Sequence, residues 1–224
     1  MGLKRKRGLI VAIDVIQEKE YEKLRDILSS IAELDKNIIF MPGIPTTLKF
    51  GFYNVMNFLK NYENKVIFNA KLVEDQERKV KRILEMCKEC ELDGIIVHGC
   101  MNKEIIKNLS KESGCVDVIA VTKMSSKTFV YNENYEKIVE SIIKYVDGVV
   151  VGANEPGSIK KVRKIIDEVD SSIYICSPGI GYQGGEARIA LESGADYLIV
   201  GRDILKAEKP KKKVKEYLRL LKLK

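Results

Sequence analysis

A lysine flanked by an amide and a carboxylate follows one of the apolar runs in this chain. Residues 66–74 read V-I-F-N-A-K-L-V-E, so Asn69, Lys71 and Glu74 come directly after three apolar residues. A lysine ammonium at the mouth of a pocket can act as a general acid, and neighbouring polar groups can hold it in place. A plain structural ion pair between Lys71 and Glu74 fits the same residues equally well.

A glycine-rich segment with an arginine behind it is typical of a phosphate site. Residues 177–185 read S-P-G-I-G-Y-Q-G-G, and Gly201-Arg202 ends the next apolar run. Glycines let backbone N–H groups approach an anion closely, and a helix that follows points its positive end at the same place. The Arg202 guanidinium matches the geometry of a phosphate group. We therefore predict a phosphate site here, in preference to a tight turn beside a surface arginine.

Eight short apolar runs are spread along the chain and predict the elements that carry these residues. They are Leu9–Ile13, Ile38–Met41, Val66–Phe68, Gly94–Val97, Val116–Val121, Gly148–Val151, Ile173–Ile175 and Tyr197–Val200. Continuous apolar runs indicate strands buried on both faces, as in a parallel sheet. Amphipathic segments with apolar residues three and four apart predict helices between and after them. These segments are Glu20–Ile31, Phe52–Leu59, Arg78–Lys88, Lys103–Leu109, Tyr135–Tyr145, Ser158–Val169, Glu186–Leu191 and Lys212–Leu221.

Eight strand–helix units in 224 residues predict one (β/α)8 TIM-barrel domain over residues 1–224. Residues 1–7 form a basic segment at its amino terminus. A doubly wound open sheet is the competing topology, but the count of eight favours the barrel. In a barrel, the residues that do chemistry lie at the carboxyl ends of the strands. The residues in those places are Asp14, Asn69, Lys71, His98, 123–126, Asn154, 177–185 and Gly201-Arg202, with Met41 ending the second run.

The net charge of +7 is concentrated at the two ends of the chain, in residues 4–7 and 206–224. We interpret both ends as solvated segments, because no aromatic interleaving or groove-reading motif favours a nucleic-acid partner. The sequence has no run of about 18 apolar residues, so we predict no membrane span. We expect the charged start to lead into a first strand and not to be a signal peptide.

Five cysteines without a regular framework indicate reduced thiols and a cytoplasmic protein. Cys87 and Cys90 form a C-x-x-C, but no second pair completes a zinc site and no strand-to-helix turn precedes a redox motif. We predict two ordinary helix cysteines.

The motifs, taken in order, resemble the orotidine 5′-monophosphate decarboxylase family over essentially the whole chain. The resemblance rests on A-I-D at 12–14, V-H-G at 97–99, M-S-S at 124–126, and the S-P-G-I-G-Y-Q-G-G and V-G-R pair. It implies a homodimeric barrel, without metal or organic cofactor, that converts orotidine 5′-monophosphate to uridine 5′-monophosphate and CO2 in pyrimidine biosynthesis. It also implies substrate-binding roles. The phosphate would be held at Gln183, Gly184, Gly201 and Arg202, the pyrimidine edge by Ser125 or Ser126, and a ribose hydroxyl by Asp14.

The same resemblance exposes a change in the reacting half of the site. In the family, the third strand ends D-x-K-x-x-D: the first aspartate lies against the leaving carboxylate, the lysine protonates the carbanion, and the last aspartate comes from the partner subunit. This chain has Asn69, Lys71 and Glu74 at those positions, and Met41 replaces a second lysine. One acid and one base are lost together, so the formal charge stays balanced, which indicates a site rebuilt to remain stable. Removing one preorganised group costs on the order of 10²–10³ in rate.

Three hypotheses follow. The chain is a decarboxylase with an altered constellation, acting on orotidine 5′-monophosphate or a related phosphorylated substrate; or it binds a nucleotide or phosphate without turnover; or it has one of the sister activities on sugar phosphates. Asn69 argues against the third, since those activities need an acidic metal site that includes the third-strand aspartate.

Four further residues are weaker candidates. His98 is expected to pack at the rim, and Cys100 has no identifiable base to activate it. Lys49 is a conceivable substitute for the lost lysine, and Arg78 stands in a segment where the family's D-I-P-x-T is replaced by E-D-Q-E-R.

Overall fold

The apolar runs pair side by side as parallel strands, and the last strand returns to the first. The structure is a computed structural model that describes residues 3–126, 129–181, 183 and 185–222. The strands are β1 (Gly8–Ile13), β2 (Ile39–Pro42), β3 (Lys65–Leu72), β4 (Gly94–His98), β5 (Asp117–Lys123), β6 (Gly148–Val151), β7 (Tyr174–Pro178) and β8 (Tyr197–Val200). Because β1 pairs with both β2 and β8, the sheet closes into a barrel. The predicted (β/α)8 fold is confirmed, and the open sheet is excluded.

The helices surround the barrel. They are α1 (Glu18–Ala32), α2 (Ile44–Phe50), α3 (Phe52–Lys60), α4 (Glu77–Glu89), α5 (Lys103–Ser113), α6 (Phe129–Glu133), α7 (Tyr135–Ile142), α8 (Pro156–Val169), α9 (Ala187–Glu192), α10 (Arg202–Leu205) and α11 (Pro210–Lys222). The segment predicted as one helix over 135–145 ends in a 3-10 turn at Ile143–Tyr145. Sequence periodicity missed α2, α6 and α10, since helices of one or two turns are too short to show it.

Two apolar layers explain why the strands read as continuous apolar runs. Alternate side chains, such as Ile10, Ile39 and Ile67, form a core inside the barrel. The residues between them, such as Val11 and Phe40, pack outward against the helices. Successive side chains of a strand point to opposite faces, so both faces of each strand are buried.

The amino-terminal segment is attached to the lower end of the barrel by several hydrogen bonds. The Leu3 backbone N–H and the Tyr174 hydroxyl both donate to Asp117 Oδ2, at 2.6 and 2.9 Å. The Tyr197 hydroxyl donates to the Lys4 carbonyl at 2.7 Å, and Arg5 Nη1 lies 3.1 Å from Asp167 Oδ1. Leu3 is half-buried, whereas Lys4 and Arg5 are exposed, so this segment, which we call the amino-terminal strap, is attached to the barrel while its basic residues remain in contact with solvent.

The lysine-rich carboxyl-terminal segment is also partly packed. It forms α11, an amphipathic helix that buries Val214, Tyr217 and Leu221, so only its lysine-rich face fits the expectation of a solvated end. Within the described residues, no helix combines enough length with enough apolar character to cross a lipid bilayer.

Candidate functional site

A cavity of about 630 Å³ opens at the carboxyl ends of the strands. It is lined by the predicted residues Asp14, Met41, Asn69, Lys71, Ser125, Ser126, Gln183, Gly201 and Arg202. The fold thus brings together residues that are almost 190 positions apart in the chain. Gly184, also predicted at this site, lies outside the described residues. The volume of the cavity is in the range of small-ligand and cofactor sites.

The end of β3 is irregular where it supplies Lys71. Phe68 pairs with Ile95, but the next pairing is Leu72 with Val97, so the register shifts between them. Lys71 has a φ of 41°, a left-handed conformation that costs a non-glycine residue roughly 1–2 kcal/mol. Bulges of this kind re-aim side chains next to active sites, and here the bulge brings Lys71 to the cavity.

Asp14 reaches the cavity because the neighbouring turn has no side chain. A Cβ atom added to Gly43 would lie 2.0 Å from Asp14 Oδ1. Thr46 fixes the same turn: its Oγ1 accepts from the Val15 backbone N–H at 2.8 Å and lies 3.0 Å from the Ile13 carbonyl oxygen. Withdrawal of the Asp14 carboxyl from water raises its pKa, and the Lys71 ammonium opposes that rise. Asp14 and Lys71 are therefore an electrostatically coupled pair in the cavity.

The deep end of the cavity is apolar and neutral. Met41 is only 3% exposed there, and Ile96, Val121, Val150 and Ile199 line the same region. Sequence reasoning missed these four residues, although counting every second residue toward each strand end would have found them. Asn69 Oδ1 is buried and accepts no hydrogen bond from any described residue. An unsatisfied buried acceptor costs about 1–3 kcal/mol, which a donor on a bound ligand would relieve.

The opposite end of the cavity has the backbone shape expected of a phosphate loop. Gly179 and Gly181 have φ values of 92° and 71°, which side chains rarely permit. Gly185 N–H donates to the Gly179 carbonyl at 3.0 Å, and Gly181 N–H donates to the Gly185 carbonyl at 2.9 Å. A Cβ at Gly179 would lie 3.1 Å from Ser125 Cβ and 3.2 Å from Gln183 Oε1. The predicted phosphate and pyrimidine residues therefore lie next to each other.

Asn132 holds the loop that carries Ser125 and Ser126. Its Nδ2 donates to the Ser126 carbonyl at 2.9 Å, and its Oδ1 accepts from the Met124 backbone N–H at 3.0 Å. Sequence reasoning missed Asn132, because it follows Ser126 on a short helix that periodicity did not reveal. The two serines are thus positioned by a side chain from α6.

Glu74 does not line the cavity of the single chain. Its Oε1 accepts from the backbone N–H groups of Asp75 and Gln76, both at 3.0 Å, and its Oε2 lies 3.3 Å from Lys79 Nζ. These hydrogen bonds, led by that from Gln76, lower the Glu74 pKa. The expected Lys71–Glu74 partnership is therefore not made within one chain.

The weaker candidates also lie away from the cavity lining. Lys49 Nζ is 3.9 Å from Glu18 Oε1, and Arg78 is exposed on the first turn of α4. His98 is buried edge-to-face against Tyr131, with ring centroids 5.3 Å apart. Burial, reinforced by the Lys71 charge, lowers its pKa. Cys100 is exposed.

Lys123, which follows the fifth apolar run, turns away from the cavity. The register shifts between Val121 and Lys123, and the lysine Nζ donates to Glu155 Oε2 at 2.5 Å and to Ser158 Oγ at 2.8 Å. It is a structural lysine, 4% exposed. In the described part of the chain, no group of three or more His, Cys, Asp or Glu side chains is arranged to hold a metal ion.

One family of known proteins matches this chain over most of its length. The family model described as "Orotidine 5'-phosphate decarboxylase / HUMPS family" matches residues 7–217. The chain therefore belongs to this family, as its motifs indicated.

Relatives and solved structures agree. Orotidine 5'-phosphate decarboxylase from Thermoplasma volcanium is 31% identical over 210 residues, covering 93% of this chain and 90% of that protein. The enzyme from Methanococcoides burtonii is 31% identical over 222 residues, covering 96% and 97%. Among solved structures, the Methanocaldococcus jannaschii enzyme complexed with the inhibitor BMP has a TM-score of 0.83 at 24% identity, covering 97% of this chain and 100% of that one. This last likeness concerns the fold.

Proposed function

We propose that this chain binds a pyrimidine ribonucleoside 5′-monophosphate in the cavity and that it decarboxylates orotidine 5′-monophosphate slowly. One observation carries the proposal. A single cavity joins Asp14, Gln183 and Arg202 with the neutral residues Met41 and Asn69. This arrangement supports a site in which the residues assigned to binding are retained and the charged array assigned to the reaction is reduced.

Binding would use both ends of the cavity. Arg202, Gln183 and the backbone N–H groups near Gly201 would hold the phosphate, since a guanidinium forms bidentate hydrogen bonds with it. Asp14 would accept from a ribose hydroxyl, and Ser125 or Ser126 would meet the pyrimidine edge. The apolar deep end suits the faces of the ring. The binding of an inhibitor by the solved Methanocaldococcus jannaschii relative supports this assignment by family membership.

Decarboxylation would depend on Lys71. The bond between the ring and its carboxylate breaks, CO2 leaves, and the electron pair stays on the ring carbon, which takes a proton from the Lys71 ammonium. Charges that are preorganised for this transition state are the main source of such catalysis. A neutral Asn69 and Met41 supply none, so each missing charge is expected to cost on the order of 10²–10³ in rate, without simple additivity.

The same proposal includes a homodimer. Ile44, Leu48 and Val73 follow the neighbouring strands β2 and β3, and they are 41%, 81% and 64% exposed. Clustered exposed apolar residues commonly mark an association surface. Glu74 is adjacent to Val73, so a second copy on this face would bring the Glu74 carboxylate toward the partner's cavity. Sedimentation of wild type and Leu48→Glu tests this, and a monomeric wild type would contradict it.

Binding without any turnover is the second candidate. It is favoured by Glu74, whose carboxylate is already engaged within its own chain by the Asp75 and Gln76 backbone N–H groups and by Lys79. Under this alternative, Lys71 has no acidic partner from a second copy to hold it for proton transfer.

A titration with uridine 5′-monophosphate, alongside loss of orotidine 5′-monophosphate absorbance, tests the proposal. We expect saturable nucleotide binding that weakens about tenfold or more in Arg202→Gln, and a slow but measurable loss of absorbance; an undetectable loss would favour the second candidate. Arg188→Gln, an exposed arginine on α9 outside the cavity, should bind like wild type. Absence of nucleotide binding would contradict the proposal, and turnover equal to that of the Thermoplasma volcanium enzyme in the same assay would contradict its second half.

A further inference from the structure

Beyond the residues of the predicted monophosphate site, the same cavity is lined by Glu20, Lys23 and Ile27 of α1, by Leu205 of α10 and by Lys206, the residue that follows α10. We call this part of the lining the outer lobe. A nucleoside monophosphate held between Asn69 and Arg202 would leave the outer lobe unused. The lobe therefore indicates a larger ligand.

Helical spacing explains how these side chains come to share one space. Glu20, Lys23 and Ile27 are three and four residues apart, so they lie along one face of α1. Arg202 begins α10 and Lys206 directly follows it, four residues later, so their side chains lie on the same side of that turn. Because β1 and β8 are adjacent in the barrel, the α1 face and α10 stand on either side of the lobe.

The charges of the outer lobe are unbalanced. No acidic side chain in the described part of the chain forms an ion pair with Lys23 or Lys206, although many lysines of this chain have such partners. Glu20 is the one carboxylate that lines the lobe. Two ammonium groups beside Arg202 thus face a single opposing charge, which favours an anion between them.

We propose that the outer lobe binds the second phosphate of a nucleoside diphosphate, so that the cavity binds a pyrimidine nucleoside diphosphate more tightly than the monophosphate. The first phosphate lies at Gln183 and Arg202, and the second lies between Lys23 and Lys206. This inference rests on the proposed nucleotide site, whose first phosphate position it shares. It involves binding only, with no bond made or broken.

Parallel titrations of the whole protein with uridine 5′-monophosphate and uridine 5′-diphosphate test it. We expect wild type to bind the diphosphate about tenfold more tightly, the gain of roughly one charge-assisted hydrogen bond. Lys23→Gln combined with Lys206→Gln should remove that gain, while monophosphate affinity changes about twofold or less. Lys19→Gln combined with Lys209→Gln is the matched control. It removes the same charge from nearby exposed lysines that do not line the cavity.

A third variant gives a change of opposite sign. Glu20→Gln removes the carboxylate of the outer lobe, so it should strengthen diphosphate binding about threefold and leave monophosphate binding nearly unchanged. Higher salt should weaken the diphosphate preference.

The outcomes separate the two proposals. Monophosphate binding without a diphosphate preference, or an equal loss in the control pair, overturns the outer-lobe assignment and leaves the nucleotide site standing. Binding of neither nucleotide overturns both.

Discussion

At the scale of residues, the cavity combines the charged and polar residues predicted to bind a ligand with the neutral residues Met41 and Asn69. Asp14, Gln183 and Arg202 come from three distant parts of the chain to one cavity, and their motifs made them predictable. The coupling of Asp14 to Lys71 was not predictable, because it depends on the β3 bulge and on the open space over Gly43. Motifs report residue types, whereas the direction of a side chain depends on local backbone geometry.

The balanced loss of two charges predicts a coupling between positions 41 and 69. Met41→Lys alone should lower the free energy of unfolding by about 3 kcal/mol, since it buries an ammonium without its former partner. Asn69→Asp alone should cost about 1 kcal/mol, because a second carboxylate joins Asp14 beside Lys71. In urea unfolding, the double variant should lose at least about 1 kcal/mol less free energy of unfolding than the two single variants lose in sum. Strict additivity would show that the two positions do not interact.

Gly43→Ala tests whether the open turn positions Asp14. The added Cβ would meet the Asp14 carboxylate, which can rotate away, so we expect a stability loss of about 1 kcal/mol or less. Uridine 5′-monophosphate affinity should fall about tenfold, because the ribose contact is displaced. Gly157→Ala, where an added Cβ meets nothing within 4 Å, should leave affinity unchanged. Unchanged affinity in Gly43→Ala would remove Asp14 from the binding site.

At the scale of elements, the strands were predictable and several connections were not. The apolar runs overlap all eight strands because burial on both faces leaves a continuous signal. The short helices α2 and α10 carry too few residues for a periodic pattern, yet α10 supplies one wall of the outer lobe. The amino-terminal strap was hidden in a basic segment, since it is held largely by backbone groups on Asp117 and Tyr197.

The buried carboxyl of Asp117, which accepts from the strap, predicts a pH dependence of stability. Burial, reinforced by Asp147, raises the pKa of Asp117 from 3.8 to about 6. The folded state therefore holds this proton more tightly than the unfolded state does. The resulting stabilisation is fully present below pH 4 and is lost as the pH rises through about 6.

Urea unfolding of wild type and Asp117→Asn between pH 4 and 7.5 measures this effect. The stability of wild type relative to the variant should fall across this interval by at most about 3 kcal/mol. The amide can still accept from Leu3 and Tyr174 but does not titrate. Parallel pH profiles for the two proteins would contradict the assignment.

At the scale of the whole molecule, the closed barrel matches the fold of the family to which the chain belongs. The family model spans residues 7–217, so the neutral residues Met41 and Asn69 lie inside the matched region. A cavity that binds a nucleotide can persist without the charges that accelerate its reaction, because ground-state binding and transition-state stabilisation rest on different groups. The account therefore separates nucleotide affinity from turnover.

The most direct test is the turnover number for orotidine 5′-monophosphate in wild type and in the variant that combines Met41→Lys, Asn69→Asp and Glu74→Asp. If the missing charges limit the reaction, the restored protein should turn over at least about 10² times faster, with uridine 5′-monophosphate affinity changed little. A folded restored variant that binds the nucleotide without any gain in turnover would contradict the account, as would a wild type already as fast as the restored variant.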